Sequence, residues 1–524
     1  MSTPARLRDV SPRPLFQVHS RRPHSGRKAI AVVVILFAVL GLAAVLFKFL
    51  WPFSQASVVQ NLSEASDSTV TVQSFHATYF PPGCVLDGIE FRNHQEQFSF
   101  LAIQKLVVQG SYLGMLRKHV SRLTAVGAKV FVPPFGSQMR FNTEHSDIVV
   151  DEIVANGSVV EFESSEPRRQ LVRFEVHDAR LNHVQWGSPI AYDLKFHNPN
   201  PPGEIAVHGK FGAWTTGHPD DTPISGDYIF EHADLGVYGG IAGMLSSEGH
   251  FEGVLGHINV SGTTDVPDFV VASRGHKAKL DTKFEGYVDA RHGDTFLRHI
   301  EAHFGRTTVI AEGSVAGVED QHGKTAQFHL TTLRGRIEDI LGLFVAKRSP
   351  MSGETTMDAH VEIPPGDEPF LDKLKLHGTF GVDNGNFRTR ETQKDVEKLS
   401  AGARGESMED PETVVTDLQG QVKAVSGVAH FSSLSFQVPG ANARLNGTYG
   451  LVDPKINLHG RMRVDTKISK TTTGMKSLLL KIMDPIFRKK KVGEVVPVHI
   501  EGTYEKPDFG LDMSDQSSHP PARK

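Results

Sequence analysis

A run of metal-ligating residue types stands at His299-Ile300-Glu301-Ala302-His303. The glutamate comes third in this run, so the spacing differs from the H-E-x-x-H order of zinc metalloproteases. On a β-strand, His299, Glu301 and His303 would share one face, because successive side chains point to opposite sides, and together they offer ligands for a divalent ion. The alternative is the polar face of a half-buried strand in a chain that contains 26 histidines. Histidine is so common here that we favour the alternative and predict no metal site.

Other patterns that catalysis uses are incomplete or missing from the sequence. Adjacent carboxylates at 220–221, 338–339 and 409–410 fit loops and the first turn of a helix better than an acid–base pair facing across a cleft. The segment 317–325 approaches a phosphate-binding loop, but five residues separate its glycines where four are needed. No G-x-S-x-G or G-x-G-x-x-G motif occurs. We therefore predict no catalytic residue, no cofactor and no enzymatic activity.

A basic amphipathic helix is predicted at 474–489. Its apolar positions recur at helical spacing, at Leu478, Leu479, Ile482, Met483, Ile486 and Phe487. Lys476, Lys481 and the basic run 488–491 surround them. Such a helix can lie on an anionic membrane surface, with the six apolar residues as its membrane contacts. It can equally cap the end of a sheet, because basic residues at a helix C-terminus are favoured by the helix dipole. The sequence leaves both interpretations open.

Past residue 65, hydrophobic and polar residues alternate with the period of a β-strand, so each strand has one apolar and one polar face. The residues that we expect on the apolar side, and that are our candidates for contact with lipid, are Ile205, Val207, Phe211, Leu374, Leu376, Phe380, Val382, Leu445, Tyr449, Val498 and Ile500. A unit of glycine, any residue and then Phe or Tyr recurs at Gly209, Gly226, Gly249, Gly378, Gly447 and Gly502. Glycine inside a strand permits a bend, so a sheet with many such positions can curl.

Few helical segments are available to cover the apolar side of these strands. Short helices are predicted at 57–65, 112–120 and 336–347, and the polar stretch 395–410 is interpreted as a loop or short helix. The apolar side must therefore fold onto itself, meet a second sheet or meet lipid. The fold class that follows is mainly β: a long, curled, antiparallel-rich sheet with few short helices.

The N-terminal region predicts a membrane anchor. Residues 29–47 form an uninterrupted run of 19 apolar residues, and about 20 residues span a bilayer core. Seven basic residues and one acidic residue precede the run, which predicts a cytoplasmic N-terminus. No small-residue cleavage site follows it, so we expect a retained, single transmembrane helix over 29–50. Everything after this helix is then expected outside the cytoplasm, in a bacterial periplasm.

Composition excludes several classes of protein and of binding site. The 524 residues are 39% hydrophobic and include 49 glycines, which is ordinary for a chain that buries a core. The 56 basic and 60 acidic residues give a net charge of −4, so the chain lacks the positive field of a nucleic-acid-binding protein. The single cysteine, Cys84, excludes an internal disulfide framework and a zinc site built from paired cysteines.

The order of several segments resembles the AsmA-like family, which comprises AsmA/TamB-type proteins anchored in the inner membrane of diderm bacteria. The segments that carry the resemblance are 70–91 with its Tyr79-Phe80-Pro81-Pro82-Gly83, 103–132, 233–236, 334–341, 364–366, 399–405 and 438–441. The resemblance runs from about residue 28 to 510. It implies a β-groove with an apolar concave face and a part in phospholipid transport between membranes or in outer-membrane homeostasis. The implied partners are phospholipids, the inner membrane through residues 29–50, and other envelope proteins.

The resemblance also divides the chain into regions. These are a basic cytoplasmic tail (1–28), the transmembrane helix (29–50), an AsmA-like N-terminal β region (51–335), a C-terminal region containing the helix 474–489 (336–511), and a polar, disordered tail (512–524). At about 15 residues per strand and turn, this length predicts roughly 30 strands, and a contour on the order of 140 Å at about 4.8 Å per strand.

Two functions fit these features of the sequence. In the first, acyl chains lie on the apolar side of the sheet, and the glycines at 209, 378, 447 and 502 leave room for them. A charged replacement there, such as Leu376→Asp, should then block lipid transfer more than folding. In the second, the chain is a structural or assembly factor that supports insertion of outer-membrane proteins through protein contacts, without lipid transfer.

Overall fold

The computed structural model describes residues 51–511 apart from residues 52, 94–98, 133–147, 163–171, 216–217, 272–274, 319–322, 345–348, 350, 389, 405–413, 465–494 and 504–505. The chain divides into two compact units, 1–58 and 59–524, and every strand lies in the second. The predicted transmembrane helix (29–50), the basic tail (1–28), the helix 474–489 and the C-terminal tail (512–524) fall outside the described residues. Among the described residues, no helix combines the length and apolar character that a membrane span requires.

Twenty-four strands make up a single sheet. The first twelve are β1 (Ser68–Thr78), β2 (Gly83–Asn93), β3 (Ser99–Gly110), β4 (His119–Val132), β5 (Val149–Phe162), β6 (Val172–Val184), β7 (Ile190–Pro199), β8 (Pro202–Phe211), β9 (Pro223–Asp234), β10 (Ile241–Ala242), β11 (Met244–Val254) and β12 (His257–Val271). The other twelve are β13 (Ala278–Asp289), β14 (Asp294–Phe304), β15 (Thr307–Gly317), β16 (Lys324–Arg336), β17 (Met351–Ile363), β18 (Lys375–Phe387), β19 (Thr416–Val425), β20 (Val428–Val438), β21 (Ala441–Gly450), β22 (Lys455–Val464), β23 (Val495–Thr503) and β24 (Lys506–Leu511).

The strands follow one another through the sheet in chain order. Almost every strand pairs antiparallel with the next, while β9 pairs with β11 and the two-residue β10 pairs with β12. The exception is β5, which runs parallel to β4. This arrangement confirms the prediction of a mainly β, antiparallel-rich chain.

The sheet is not closed. In the described chain, β1 pairs only with β2 and β24 pairs only with β23. The described residues contain 24 strands, against the roughly 30 predicted for the whole length. Twenty-four strands at about 4.8 Å each give a contour of about 110 Å along the sheet.

Five short helices interrupt the strands in the described chain. They are α1 (Gln55–Ser66), α2 (Tyr112–Leu116), α3 (Ile337–Gly342), α4 (Phe370–Lys373) and α5 (Arg390–Arg404). Two single 3-10 turns, Pro219–Asp221 and Leu235–Tyr238, occur as well. α1 confirms the helix predicted at 57–65. The other two predicted helices are shorter than expected: α2 ends before Lys118, which has a positive φ of 57°, and Arg336 belongs to β16 rather than to α3.

α5 confirms the helix of the two alternatives, loop or short helix, that the sequence leaves open for 395–410. It has 15 residues and begins earlier than expected, at Arg390. Polar residues dominate it, yet it buries Val396, Ser400 and Ala401 along one side. The hydroxyl of Ser400 donates a hydrogen bond of 2.7 Å to the carbonyl of Pro439, which ties the helix to the turn between β20 and β21.

The boundary expected between residues 335 and 336 does not interrupt the sheet. β16 crosses it and pairs with β15 on one side and β17 on the other. The proline-rich stretch 198–203 is the tight turn of the β7–β8 hairpin, with a cis peptide bond between Asn200 and Pro201. The second unit is thus one continuous sheet.

Fully buried side chains occur along the whole length of the sheet. Cys84 and Leu86 on β2 have no exposed surface, nor does Ala233 on β9, and Val266 on β12 is 1% exposed. Towards the β24 end, Val396 of α5 packs in a cluster with buried residues of β20 to β23. Each fully buried Leu, Ile or Val contributes roughly 1.5–3 kcal/mol relative to an exposed one, so the packing energy is spread over the sheet.

Candidate functional site

One row of residues crosses the sheet from β1 to β23 without meeting a charged side chain. Each residue in it is the direct cross-strand partner of the next. In spatial order the row is Ala77, Cys84, Val108, Leu123, Ile153, Leu181, Tyr192, Gly209, Gly226, Phe251, Val260, Gly286, Leu297, Gly313, Phe328, Val361, Leu376, Ala424, Ala429, Tyr449, Ile456 and Gly502. We term the side of the sheet that carries this apolar row the apolar face, and the opposite side the polar face.

Glycine–aromatic pairs fix the register of the apolar face. On β9 and β11 the Gly-x-aromatic units run antiparallel, so Tyr228 lies opposite Gly249 and Phe251 lies opposite Gly226. A Cβ atom on Gly226 would lie 2.9 Å from Cζ of Phe251 and 2.8 Å from the hydroxyl oxygen of Tyr192. The glycines are therefore on the apolar face, as the sequence indicates. At Gly209, one of the four glycines at which we expected room for acyl chains, the hydroxyl of Tyr192 occupies that space. Aromatic side chains fill the corresponding space at Gly226 and Gly249.

Two tyrosine hydroxyls on the apolar face have hydrogen-bond partners. The hydroxyl of Tyr192 donates to the carbonyl of Ser225 at 3.1 Å, and the hydroxyls of Tyr228 and Ser247 are 3.1 Å apart. Burial, with a smaller contribution from the negative charge of Asp227, raises the pKa of Tyr192 to about 12. The phenol is therefore neutral at physiological pH, and the face offers an acyl chain no formal charge at this point.

The eleven candidate residues differ in exposure. Leu374, Val382 and Leu445 are buried, at 7%, 1% and 4% exposure, so protein already covers them. Leu374 also lies outside β18, at the end of α4, where it packs with Val271 and Leu371. The other candidates are half-buried: Ile205, Val207, Phe211, Leu376, Phe380, Tyr449, Val498 and Ile500.

The half-buried candidates fall in two environments. Phe380, Val498 and Ile500 pack against the cluster beneath α5. Ile205, Val207 and Phe211 lie on β8 in the middle of the sheet, and no α-helix is described in the chain between residues 149 and 336. α4 reaches the C-terminal end of β12, where Leu371 packs with Val271. Away from that contact, the apolar face over the middle strands is the part best placed to accept a ligand.

A row of phenylalanines on the middle strands was not among the candidates. The rings of Phe162 and Phe174 meet edge to face at 5.5 Å, and those of Phe174 and Phe196 meet at 5.8 Å. Phe162 is 41% exposed. Phe196 follows the alternation of β7 from Tyr192, but Phe162 and Phe174 are an odd number of residues from Ile153 and Leu181 of the apolar row. Irregularities at Gly157 and between Val176 and Asp178 lie between them, so a simple period of two does not find these two rings. The six membrane-contact candidates of 474–489 lie outside the described residues.

The polar face has the opposite character, because histidines and carboxylates recur along it. Glu204 lies between His177 and His197, with nitrogen–oxygen distances of 3.2 and 2.8 Å. The hydrogen bond with His197 lowers the pKa of Glu204, so this carboxylate is ionised at neutral pH. Asp227 bridges His208 and His250 in the same way.

The run His299-Ile300-Glu301-Ala302-His303 lies on β14, with Glu301 and His303 on the polar face. The register shifts between Leu297 and Ile300, so His299 lies at an irregularity in the strand. His303 is engaged locally, since its Nδ1 is 2.9 Å from the hydroxyl of Thr308 and its Nε2 is 3.2 Å from a carboxylate oxygen of Glu301.

Comparison with known proteins yields no relative. No family model matches the chain, and neither a curated protein nor a solved structure matches it.

Proposed function

We propose that the chain binds phospholipid acyl chains on the apolar face of its sheet and contributes to phospholipid transport between membranes or to outer-membrane homeostasis. The observation that carries this proposal is the apolar row, which crosses the sheet without a charged residue. An ordinary core needs a second layer to cover such a face. The described chain has no α-helix between residues 149 and 336 to supply such a layer, although α4 reaches the C-terminal end of β12, where Leu371 packs with Val271.

The energetics favour an acyl chain in this position. Each methylene group transferred from water to an apolar surface contributes about 0.8 kcal/mol. A sheet that curls about this face would shield the chain from water on several sides. Because the row continues from strand to strand over about 110 Å, a bound chain can shift along it without passing a charge.

The location in the cell is part of the same proposal. The apolar run at 29–47 and the basic residues before it support an inner-membrane anchor with the sheet in the periplasm. In the AsmA-like family such an arrangement accompanies a phospholipid-carrying groove, and the segment order described above supports membership. Nothing in the proposal requires an energy source, a cofactor or a catalytic residue.

Site-specific photocrosslinking in cells tests the proposal with the full chain. The photoreactive residue p-benzoylphenylalanine replaces Phe196, which is half-buried on the apolar face. The matched control replaces Lys195, the adjacent and exposed residue of the same strand on the polar face. We expect phospholipid adducts, identified by mass spectrometry, at position 196 and none at 195. Equal adducts at both positions, or none at 196, would refute lipid binding on this face.

The open edges of the sheet favour one other function. In the described chain the outer sides of β1 and β24 have no partner strand, so a partner protein can add a strand there. An assembly factor for outer-membrane proteins would use these edges and would not need bound lipid. The same crosslinker placed at Ser74 of β1 would then yield protein adducts, while position 196 would yield no lipid.

A further inference from the structure

The polar face carries three histidines in direct cross-strand register. His329 on β16 lies opposite His360 on β17, and His360 lies opposite His377 on β18. The rings of His329 and His360 are stacked, with centroids 4.4 Å apart and 16° between their planes. The rings of His360 and His377 follow at 5.0 Å and 22°. Imidazole nitrogens are common metal ligands, so the row places three potential ligands side by side.

A carboxylate stands beside this row. Asp358 comes two residues before His360 on β17, so both side chains leave the strand on the same face. Its Oδ1 lies 3.0 Å from Nε2 of His329. One ligand atom from each of His329, Asp358 and His360 lies within 4.8 Å of the other two. In the part of the chain that the structure describes, no other group of three His, Cys, Asp or Glu residues meets this distance.

These donors suit a transition metal. Two imidazole nitrogens and one carboxylate oxygen are ligands that Zn²⁺ prefers, at about 2.0–2.2 Å from the ion. Ligand atoms arranged tetrahedrally at that distance are roughly 3.3 Å apart, so the donors must close by up to about 1.5 Å. Asp358 and His360 are exposed and His329 is half-buried, so small side-chain rotations achieve this without disturbing the packing.

The surroundings give an ion access to these donors. Asp358 also lines a polar depression of about 860 Å³ that extends over β16 to β21. Thr331, Thr379 and Gln421 line the same depression. A metal held by His329, Asp358 and His360 would thus lie at the border of a solvent-filled space, with at least one coordination position open to it.

We propose that His329, Asp358 and His360 bind a divalent transition-metal ion of the zinc class, with His377 as the next donor in the row. The site lies on the opposite side of the sheet from the apolar face, so it does not depend on lipid binding. It also differs from the run at 299–303, where the register shift lies beside His299.

The test uses the full chain in detergent, stripped with a chelator and titrated with Zn²⁺ against a chromophoric competitor. The variant is His329→Asn/His360→Asn, and the matched control is His299→Asn/His303→Asn, which also removes two histidines from the polar face. We expect one tight Zn²⁺ ion per wild-type chain and per control chain. In the variant its affinity should fall at least about tenfold, the lower end of the loss caused by removing even an outer hydrogen-bond partner of a zinc ligand.

Two outcomes would overturn the proposal. One is an unchanged zinc affinity in the variant, and the other is an equal loss in variant and control, which would indicate weak binding spread over many histidines. Asp358→Asn removes one donor charge while keeping the side-chain shape, and it decides the matter if the double variant fails to fold. Co²⁺ in place of Zn²⁺ adds a second readout, because its visible spectrum should report nitrogen and oxygen ligands in the wild type and change in Asp358→Asn.

Discussion

Replacement of Val207 by aspartate should abolish lipid contact on the middle strands while leaving the sheet folded. Val207 is half-buried on the apolar face, between Leu194 of β7 and Tyr228 of β9. An extended acyl chain that runs across the strands places roughly four methylene groups over each strand, since strands are about 4.8 Å apart. A carboxylate at 207 would keep these groups in contact with water.

The size of the effect follows from that geometry. Four methylene groups at about 0.8 kcal/mol each amount to about 3 kcal/mol, which corresponds to a roughly 200-fold loss of affinity. The cost to folding is smaller, about 1 kcal/mol from strand preference, because Val207 is not in a closed core. Ala206→Asp is the matched control, since it places the same residue type one position earlier, on the polar face beside Lys195.

The assay is the yield of lipid adducts from p-benzoylphenylalanine at position 196, measured in cells for both aspartate variants. We expect the yield to fall to background in Val207→Asp and to stay at the wild-type level in Ala206→Asp. Protein abundance and protease resistance are measured in parallel, to verify that both variants fold. Equal adduct yields in two folded variants would show that acyl chains do not cross β8, and the reasoning from the apolar row would fail.

Three further outcomes follow from local geometry. Gly226→Ala should lower the free energy of unfolding in urea by about 1–3 kcal/mol, because its Cβ would lie 2.6 Å from the carbonyl oxygen of His208. Gly317→Ala is the control and should lower it little, since no atom lies within 4 Å of its Cβ. Equal losses in the two variants would contradict the close packing at Gly226. Burial raises the pKa of the Cys84 thiol to about 12. Iodoacetamide should therefore label this thiol on the order of a hundredfold more slowly in the folded chain than in urea. Rapid labelling of the folded chain would mean that β2 is accessible. Burial raises the pKa of Tyr192 to about 12, so the folded state holds the phenol proton more tightly than the unfolded state does. The resulting contribution to stability is fully present below the usual phenol pKa of about 10, and it is lost as the pH rises towards 12. At about pH 11 wild type and Tyr192→Phe should therefore show equal tyrosinate absorbance, and a deficit in the variant would refute the burial.

The sequence predicted the fold best where hydrophobic residues alternate with polar ones along a strand. Alternation identified the apolar sides of β8, β18 and β21, and it identified the Gly-x-aromatic units as features of that side. It did not show that Tyr228 and Phe251 would cover each other's opposing glycines, because that requires the register between strands. Of the four glycines expected to leave room for lipid, Gly209 has that space filled by Tyr192, and the role stays a prediction at Gly378, Gly447 and Gly502.

Features that depend on long separations in the chain escaped the sequence analysis. His329, His360 and His377 are 31 and 17 residues apart, and only the pairing of three strands brings them together. The compact run at 299–303 drew attention instead, since its residues are close in sequence. The sequence left α5 undecided between a loop and a short helix for a different reason: its apolar contacts, such as Val396, are few and appear only against the strands beneath it.

The pairing of each strand with the next has a consequence for how the sheet forms and varies. A strand such as β14 interacts mainly with β13 and β15, so the free energy of the sheet is close to a sum of terms between neighbours. Such a sheet can assemble progressively from one end, each new hairpin using the previous strand as its template, without waiting for distant parts of the chain. For the same reason, hairpins can be gained or lost over evolution at little cost to the rest. The reach of the protein is therefore a quantity that selection can adjust in steps of about 10 Å, two strands at a time.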